Sequence, residues 1–173
     1  MNTTTRPLLV LISIAALAAG CGGSNGSVAA TQATGAKTTS QQTSEETLKT
    51  AVRTTIGANV RLSTYVLWHN EVPAWAKQST RGPALRALRT SAAARRRQGI
   101  QIKNLSGHYT VISIVLAPSY TAATAVIRSH QRVAPYKAGR RLGRAIVAND
   151  RARLKLHRLG NTQRFVVWSV STS

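Results

Sequence analysis

Acid is what this chain has least of. Glu45, Glu46, Glu71 and Asp150 are its four carboxylates against 24 lysines and arginines, for a net charge of +20 in 173 residues. Eighteen of those cations are arginine. Ion pairing can neutralise only a small part of such an excess, so the field is positive over most of the surface and favours polyanions as partners. Cysteine is nearly absent too, with Cys21 alone, which excludes an internal disulfide and a thiolate metal centre. His69, His108, His130 and His157 have no ligand-like spacing, and zinc needs three or four converging donors, so no metal is expected. No glycine-rich phosphate loop, nucleophile elbow or Walker lysine occurs, and no cofactor is expected. The basic segments also lack the interleaved aromatics that stack bases, which weighs against nucleic acid.

What is present begins with an address. Arg6 precedes an apolar run from Leu8 to Ala19, too short to span a bilayer, and Leu17-Ala18-Ala19-Gly20-Cys21 closes it with small residues and the lone cysteine. This resembles a bacterial lipoprotein signal, departing from the commonest form in having Ala18 where a leucine usually stands. The resemblance implies cleavage before Cys21, a diacylglycerol thioether on its sulfur and acylation of its amino group, as with palmitate. An ordinary secretory signal with a chance cysteine is the alternative. Two or three acyl chains hold a soluble domain on a membrane where one does so marginally. The localisation expected is therefore the extracytoplasmic face of the cell membrane. Residues 21–42 are Gly, Ser, Thr, Ala and Gln with one charge, Lys37. They have too few large apolar groups to offset ordering and read as a disordered tether with an end-to-end distance of roughly 25 Å. Residues 43–173 are left as a single domain.

Hydrophobic period organises that domain. Thr43 and Glu46 match a capping box, and Leu48, Ala51, Val52, Thr55, Ile56, Val60, Ser63 and Leu67 recur at threes and fours, which predicts a helix to about Asn70. Pro73 interrupts, and Ala74 to Gln78 form one further turn. Pro83 opens a second helix that Arg95-Arg96-Arg97 and Gly99 close. From Ile100 the period becomes two. Tyr109–Leu116 and Tyr120–Arg132 read as strands around the turn Ala117-Pro118-Ser119. A loop with Pro135 and Gly139 follows. In the next strand alternation puts Arg151, Arg153, Lys155 and His157 on one face and Ala152, Leu154 and Leu156 on the other. Gly160-Asn161 turns the chain into a last strand, Arg164 to Ser171. The fold class is α+β, with N-terminal helices packed on a curved antiparallel sheet.

Three segments carry a resemblance to a known superfamily. They are Arg95-Arg96-Arg97-Gln98-Gly99-Ile100, where a helix runs into a strand; the alternating Tyr120–Val126; and the hairpin from Leu154 to Trp168. In layout these resemble the nuclear transport factor 2-like superfamily, also called SnoaL-like or ketosteroid-isomerase-like. The final hairpin is similar to that of envelope-associated members, including proteins linked to Mce lipid-import systems. The resemblance implies a cone with a pocket between sheet and helices, used by some members for catalysis and by others for binding or assembly. Its enzymes place an Asp or Glu base inside the cone. Asp150 is the candidate here, since counting by twos sets it on the side of Ala152, Leu154 and Leu156, pointing inward and buried. A bulge or an arginine partner at Asp150 is the competing reading. Glu71, beside His69 and Asn70, and Trp75, beside Pro73, are candidates for a pocket rim, against a capping role for the former. Trp68 and Trp168 fall on apolar faces and are expected in the core.

The basic residues form the remaining candidate site. A stripe from Arg95, Arg96 and Arg97 through Arg140, Arg141 and Arg144 to Arg151, Arg153 and Lys155 would bind anionic lipid or wall polymer, with separate solvated arginines as the bland alternative. Arg53, Arg61 and Arg128 are expected to stand apart from it. The expected function is a non-enzymatic binding or accessory module held at the membrane through Cys21, with envelope proteins as further partners and a homodimer through the outer sheet face as one form. A pocket protein for an apolar or lipid ligand, serving lipid transport, is the second reading. An isomerase- or cyclase-like enzyme using Asp150 is the third.

Overall fold

The structure is a computed structural model and describes residues 39–172, with side chains from Ser44 onward; Cys21, the signal segment and the tether up to Thr38 lie outside the described residues. Helix α1, Thr39–His69, runs for 31 residues. It buries Leu48, Val52, Thr55, Ile56, Asn59, Leu62 and Val66, a stripe at threes and fours of the kind that faces a core. Its start differs from expectation. The helix begins at Thr39, so Thr43 lies a turn inside it rather than at the cap, since nothing from Thr39 to Glu46 is a glycine or proline that would stop a helix. Its end is as the pattern predicts: Asn70 takes a left-handed conformation at φ 54, where asparagine is among the better-tolerated residues.

After Pro73 a 3₁₀ turn, Ala74–Gln78, leads to the buried Thr80, which pairs in parallel with Val167 through Arg81 N–H to the Val167 carbonyl at 2.9 Å and Val167 N–H to the Ser79 carbonyl at 2.8 Å. Helix α2, Gly82–Gln98, has proline in its first turn and ends on Gly99 at φ 67. Five strands follow, β1 Ile100–Leu116, β2 Ala122–Lys137, β3 Arg140–Arg141, β4 Ile146–Arg158 and β5 Phe165–Thr172. They form an antiparallel sheet in the order β1-β2-β4-β5, with β3 a short rung on β2. Pro135, expected in a loop, lies inside β2. Its carbonyl accepts from Leu142 N–H at 2.9 Å, so its missing N–H points to the side where β4 has already ended at the Val133–Ile146 rung.

Register divides the sheet into two faces. On the helix side, the rungs Leu116–Ala123–Leu156 and Ile114–Ala125–Leu154, then Val111–Ile127–Ala152, pack against Leu48, Val52 and Ile56, and Phe165 and Val167 of β5 close the same cluster. A second cluster, Leu62, Val66, Ala76, Leu85 and Ala92, joins the far half of α1 to α2. Residues between these rungs point to the outer face. Two tryptophans differ from expectation. Trp168 has no partner on β4, because the register shifts between Lys155–Ser169 and Leu156–Val167, and this bulge turns its ring out to 38% exposure, stacked on His157 at 4.7 Å. Trp68 is half-buried, edge-on to Tyr136 and beneath the Lys103 ammonium, rather than in either apolar cluster.

Candidate anion-binding surface

Strand β4 supplies the first portion of the surface. Arg151, Arg153 and Lys155 are exposed on the outer face while Ala152, Leu154 and Leu156 between them are buried. Strand β2 supplies a portion that alternation alone does not assign to the stripe. Arg128 pairs directly with Arg151, and Arg132, further along β2, pairs with Val147. Arg128 therefore belongs to the cluster rather than standing apart from it. Directly opposed residues on antiparallel strands have Cβ atoms roughly 5 Å apart, a distance at which like charges oppose pairing. None of the four acids shares this face. Glu45 and Glu46 are on α1, Glu45 pairing with Lys49 at 2.9 Å, and Glu71 follows α1. Asp150 pairs with Ser129, on the helix side of the sheet. Histidine completes the face: His108 and His130 are opposed across β1 and β2 with rings stacked at 5.4 Å, and His130 Nδ1 lies 2.6 Å from Asn149 Oδ1.

The alternation of β2 is legible in the sequence, with Ala123, Ala125 and Ile127 inward and Arg128, His130 and Arg132 outward. Which residue of β4 faces Arg128 depends on register, which no local pattern fixes.

The other basic segments meet at one end of the domain. Ile100, just beyond the end of α2, pairs with Lys137, and Lys137 pairs with Arg140. Arg97, Arg140, Arg141 and Arg144 are exposed there. Arg95 and Arg96 are engaged in the fold instead. Arg95 donates from Nε to Asn70 Oδ1 at 3.0 Å, from Nη1 to Ser91 Oγ and from Nη2 to the Val66 carbonyl at 3.1 Å, while Arg96 reaches the Asn70 carbonyl at 2.8 Å. These are acceptors at the C-terminus of α1, where unsatisfied carbonyls and the negative end of the helix dipole favour cations. Burial lowers the Arg95 pKa from the usual arginine value.

Asp150 corrects the expectation of a buried base. It lies on the predicted side but is exposed, because the apolar cluster stops one rung earlier at Ile127 and Ala152. Glu71 and Trp75 do come together, through Tyr65: its hydroxyl donates to Glu71 Oε1 at 2.8 Å, and its ring lies edge-on to Trp75 at 5.8 Å and stacked on His69 at 4.1 Å. The bond to Glu71, then desolvation, then the carboxylate's charge raise the Tyr65 pKa. Asn70 rather than Glu71 does the capping, donating from Nδ2 to the Ile100 carbonyl at 2.6 Å.

Between α1 and β1 lies a cavity of about 40 Å³ lined by Val60, Asn104, Gly107, His108, Tyr109 and Gln131, where the buried Asn104 Oδ1 has no partner in the protein. That is room for a few waters, against the roughly 300–1,000 Å³ of a small-molecule pocket. No group of three or more metal-ligating side chains occurs among the described residues, and no helix among them is long and apolar enough to cross a membrane.

No protein-family model matches this chain, and no curated protein matches its sequence. Solved structures do. A structure from Catenulispora acidiphila aligns with a TM-score of 0.47 at 14% identity, over 75% of this chain and 93% of its own. The intermembrane space region of the chloroplast protein ARC6 aligns with a TM-score of 0.60 at 10% identity, over 70% of this chain and 92% of its own. The likeness to ARC6 is one of fold: this chain has an α+β architecture, helices on an antiparallel sheet, that recurs in a protein with almost none of its sequence.

Proposed function

We propose that this protein is an extracytoplasmic lipoprotein, acylated at Cys21, whose nuclear transport factor 2-like domain is a non-enzymatic module that binds anionic partners through the outer face of its sheet. One observation carries the reading: Arg128 opposes Arg151, with Arg132, Arg153 and Lys155 around them and none of the four acids on the same face. Each like-charged neighbour costs a few tenths of a kcal/mol in strand pairing. An anion laid on the face removes that repulsion, so binding and relief of internal strain act together. Packing supports the same reading over a lipid-ligand pocket, since Leu154, Leu156, Phe165 and Val167 are at most 1% exposed and fill the space between sheet and α1 with side chains. An enzymatic role for Asp150 finds no support in an exposed carboxylate paired with Ser129. The outer face is also poorly suited to homodimer formation, because two copies would bring their cations together.

The test is vesicle binding by the chain from residue 21 with Cys21→Ser, which removes the acyl anchor. Reversal of Arg128, Arg151 and Arg153 to Glu should lower affinity for phosphatidylglycerol vesicles at least tenfold, and reversal of Arg53 and Arg61 on α1 should change it less than threefold. Parent affinity should fall steeply between low and physiological salt, where the Debye length shrinks to about 8 Å. Equal affinity for neutral and anionic vesicles would sink the proposal.

A further inference from the structure

Strand β3 and the start of β4 form a corner that combines two kinds of exposed residue. Leu142, Ile146 and Val147 are 49%, 47% and 53% exposed. Three large aliphatic side chains within six residues of one turn is a concentration of apolar surface that a solvated loop does not need. Arg140, Arg141 and Arg144 alternate with them, and Lys137 and Arg97 lie alongside. The corner is ordered by backbone contacts: β3 pairs with β2, and Leu142 N–H donates to the Pro135 carbonyl at 2.9 Å. The nearest acid along the chain, Asp150, is on the helix side of the sheet.

We infer that this corner docks into an anionic bilayer, with Leu142, Ile146 and Val147 entering the headgroup layer and Arg140, Arg141 and Arg144 bound to lipid phosphates. The inference rests on the proposed anion-binding reading and names its partner. Charge selects an anionic partner, and the interleaved aliphatic side chains select one with apolar material just beneath the charge. A bilayer offers both, in that order of depth. A soluble polyanion such as polyphosphate or a wall polymer offers only the charge. Each cation near an anionic surface contributes about 1 kcal/mol, and this contribution is screened by salt, whereas burial of apolar side chains is not.

Geometry gives the docked domain an orientation. The N-terminal half of α1 packs by Ala123, Leu156 and Phe165, at the opposite end of the sheet from β3, while its C-terminus reaches Ile100, the rung beside Lys137. A helix of 31 residues is about 46 Å long. The acyl anchor therefore enters at one end of the domain and the apolar corner lies at the other. The chain from Cys21 to Thr39 can reach at most about 60 Å, enough to join both to one membrane. Contact at both ends lays α1 roughly parallel to the bilayer and turns the outer sheet face, to which Val147 belongs, toward the headgroups.

The experiment uses the full, acylated protein reconstituted in vesicles, with Leu142→Trp as a depth reporter read as the difference from the parent. In vesicles containing phosphatidylglycerol its emission should shift to the blue and be quenched at least twofold by lipids brominated on the acyl chains. In phosphatidylcholine alone the quenching should largely vanish. Thr54→Trp, exposed on α1 away from the sheet, should be quenched in neither. Exposure of the Leu142→Trp reporter to water in anionic vesicles would overturn the inference and leave a protein partner for the corner. Equal quenching in the two lipids, or at Thr54→Trp, would overturn it as well. Reversal of Arg128, Arg151 and Arg153 separates the two readings. If that variant binds as the parent does while the corner reporter remains quenched, the sheet-face reading alone fails; if it binds less while the reporter stays in water, the corner inference alone fails.

Discussion

Along β4 neighbouring residues live in opposite environments. Leu154 and Leu156 are sealed between sheet and α1, at 1% and 0% exposure, and Arg153 and Lys155 stand in solvent among other cations. The helix-side face is complementary within the molecule, since every apolar rung meets another. The outer face is not: Arg128 meets Arg151. A surface under selection for stability alone would set an acid opposite an arginine, and this chain has four acids and sets none of them there. The contrast separates what the fold needs from what it tolerates for another purpose.

The contrast breaks most plainly if the faces are exchanged. Leu154→Asp buries an unpaired carboxylate at a cost of several kcal/mol, comparable with the whole stability of a domain, and should abolish the cooperative thermal transition. Arg153→Asp should leave it within about 0.5 kcal/mol or raise it. Similar losses in the two variants would mean the strand is out of register. A smaller effect distinguishes structural from solvated arginines. Arg95→Ala removes the donors to Asn70 and to the Val66 carbonyl and should cost about 1–3 kcal/mol, while Arg97→Ala should cost less than about 0.5 in the same denaturant titration. The smallest effect is the most specific. Arg128→Gln should stabilise the domain by up to about 0.5 kcal/mol at low salt. At molar salt, where the Debye length is near 3 Å, the gain should disappear. A loss of stability at low salt would show that Arg128 is held by the fold.

Most elements were legible because they are written locally. Alternation in β4 and the proline and glycine flanking α2 need no knowledge of neighbours. The misreadings share a different character. Trp168 looked like core because β5 is apolar throughout, yet the bulge that turns it outward is set by its pairing with β4. Pro135 looked like a loop because nothing in its vicinity tells where β4 ends. Arg95 and Arg96 looked like half of a binding stripe because their acceptors, on residues 66 and 70, are almost thirty positions away. Asp150 was given the right face and the wrong burial, since a period of two reports direction and says nothing of how far α1 reaches. The acid shortage was plain from composition, and the place where it matters appeared only with register.

Helix α2 also has a mechanical consequence. At one end Gly82 sits so close to the Trp168 ring that a Cβ there would come within 2.8 Å of it, and at the other a Cβ on Gly99 would meet Lys137 Cε at 3.7 Å. A stiff rod about 25 Å long is thus wedged between the bulge of β5 and the far end of β2. Flattening or further coiling of the sheet would have to compress or pull open one of these seats. The outer face accordingly meets whatever it touches with its curvature already set, and conformity to a partner must come from arginine side chains that swing rather than from a backbone that bends.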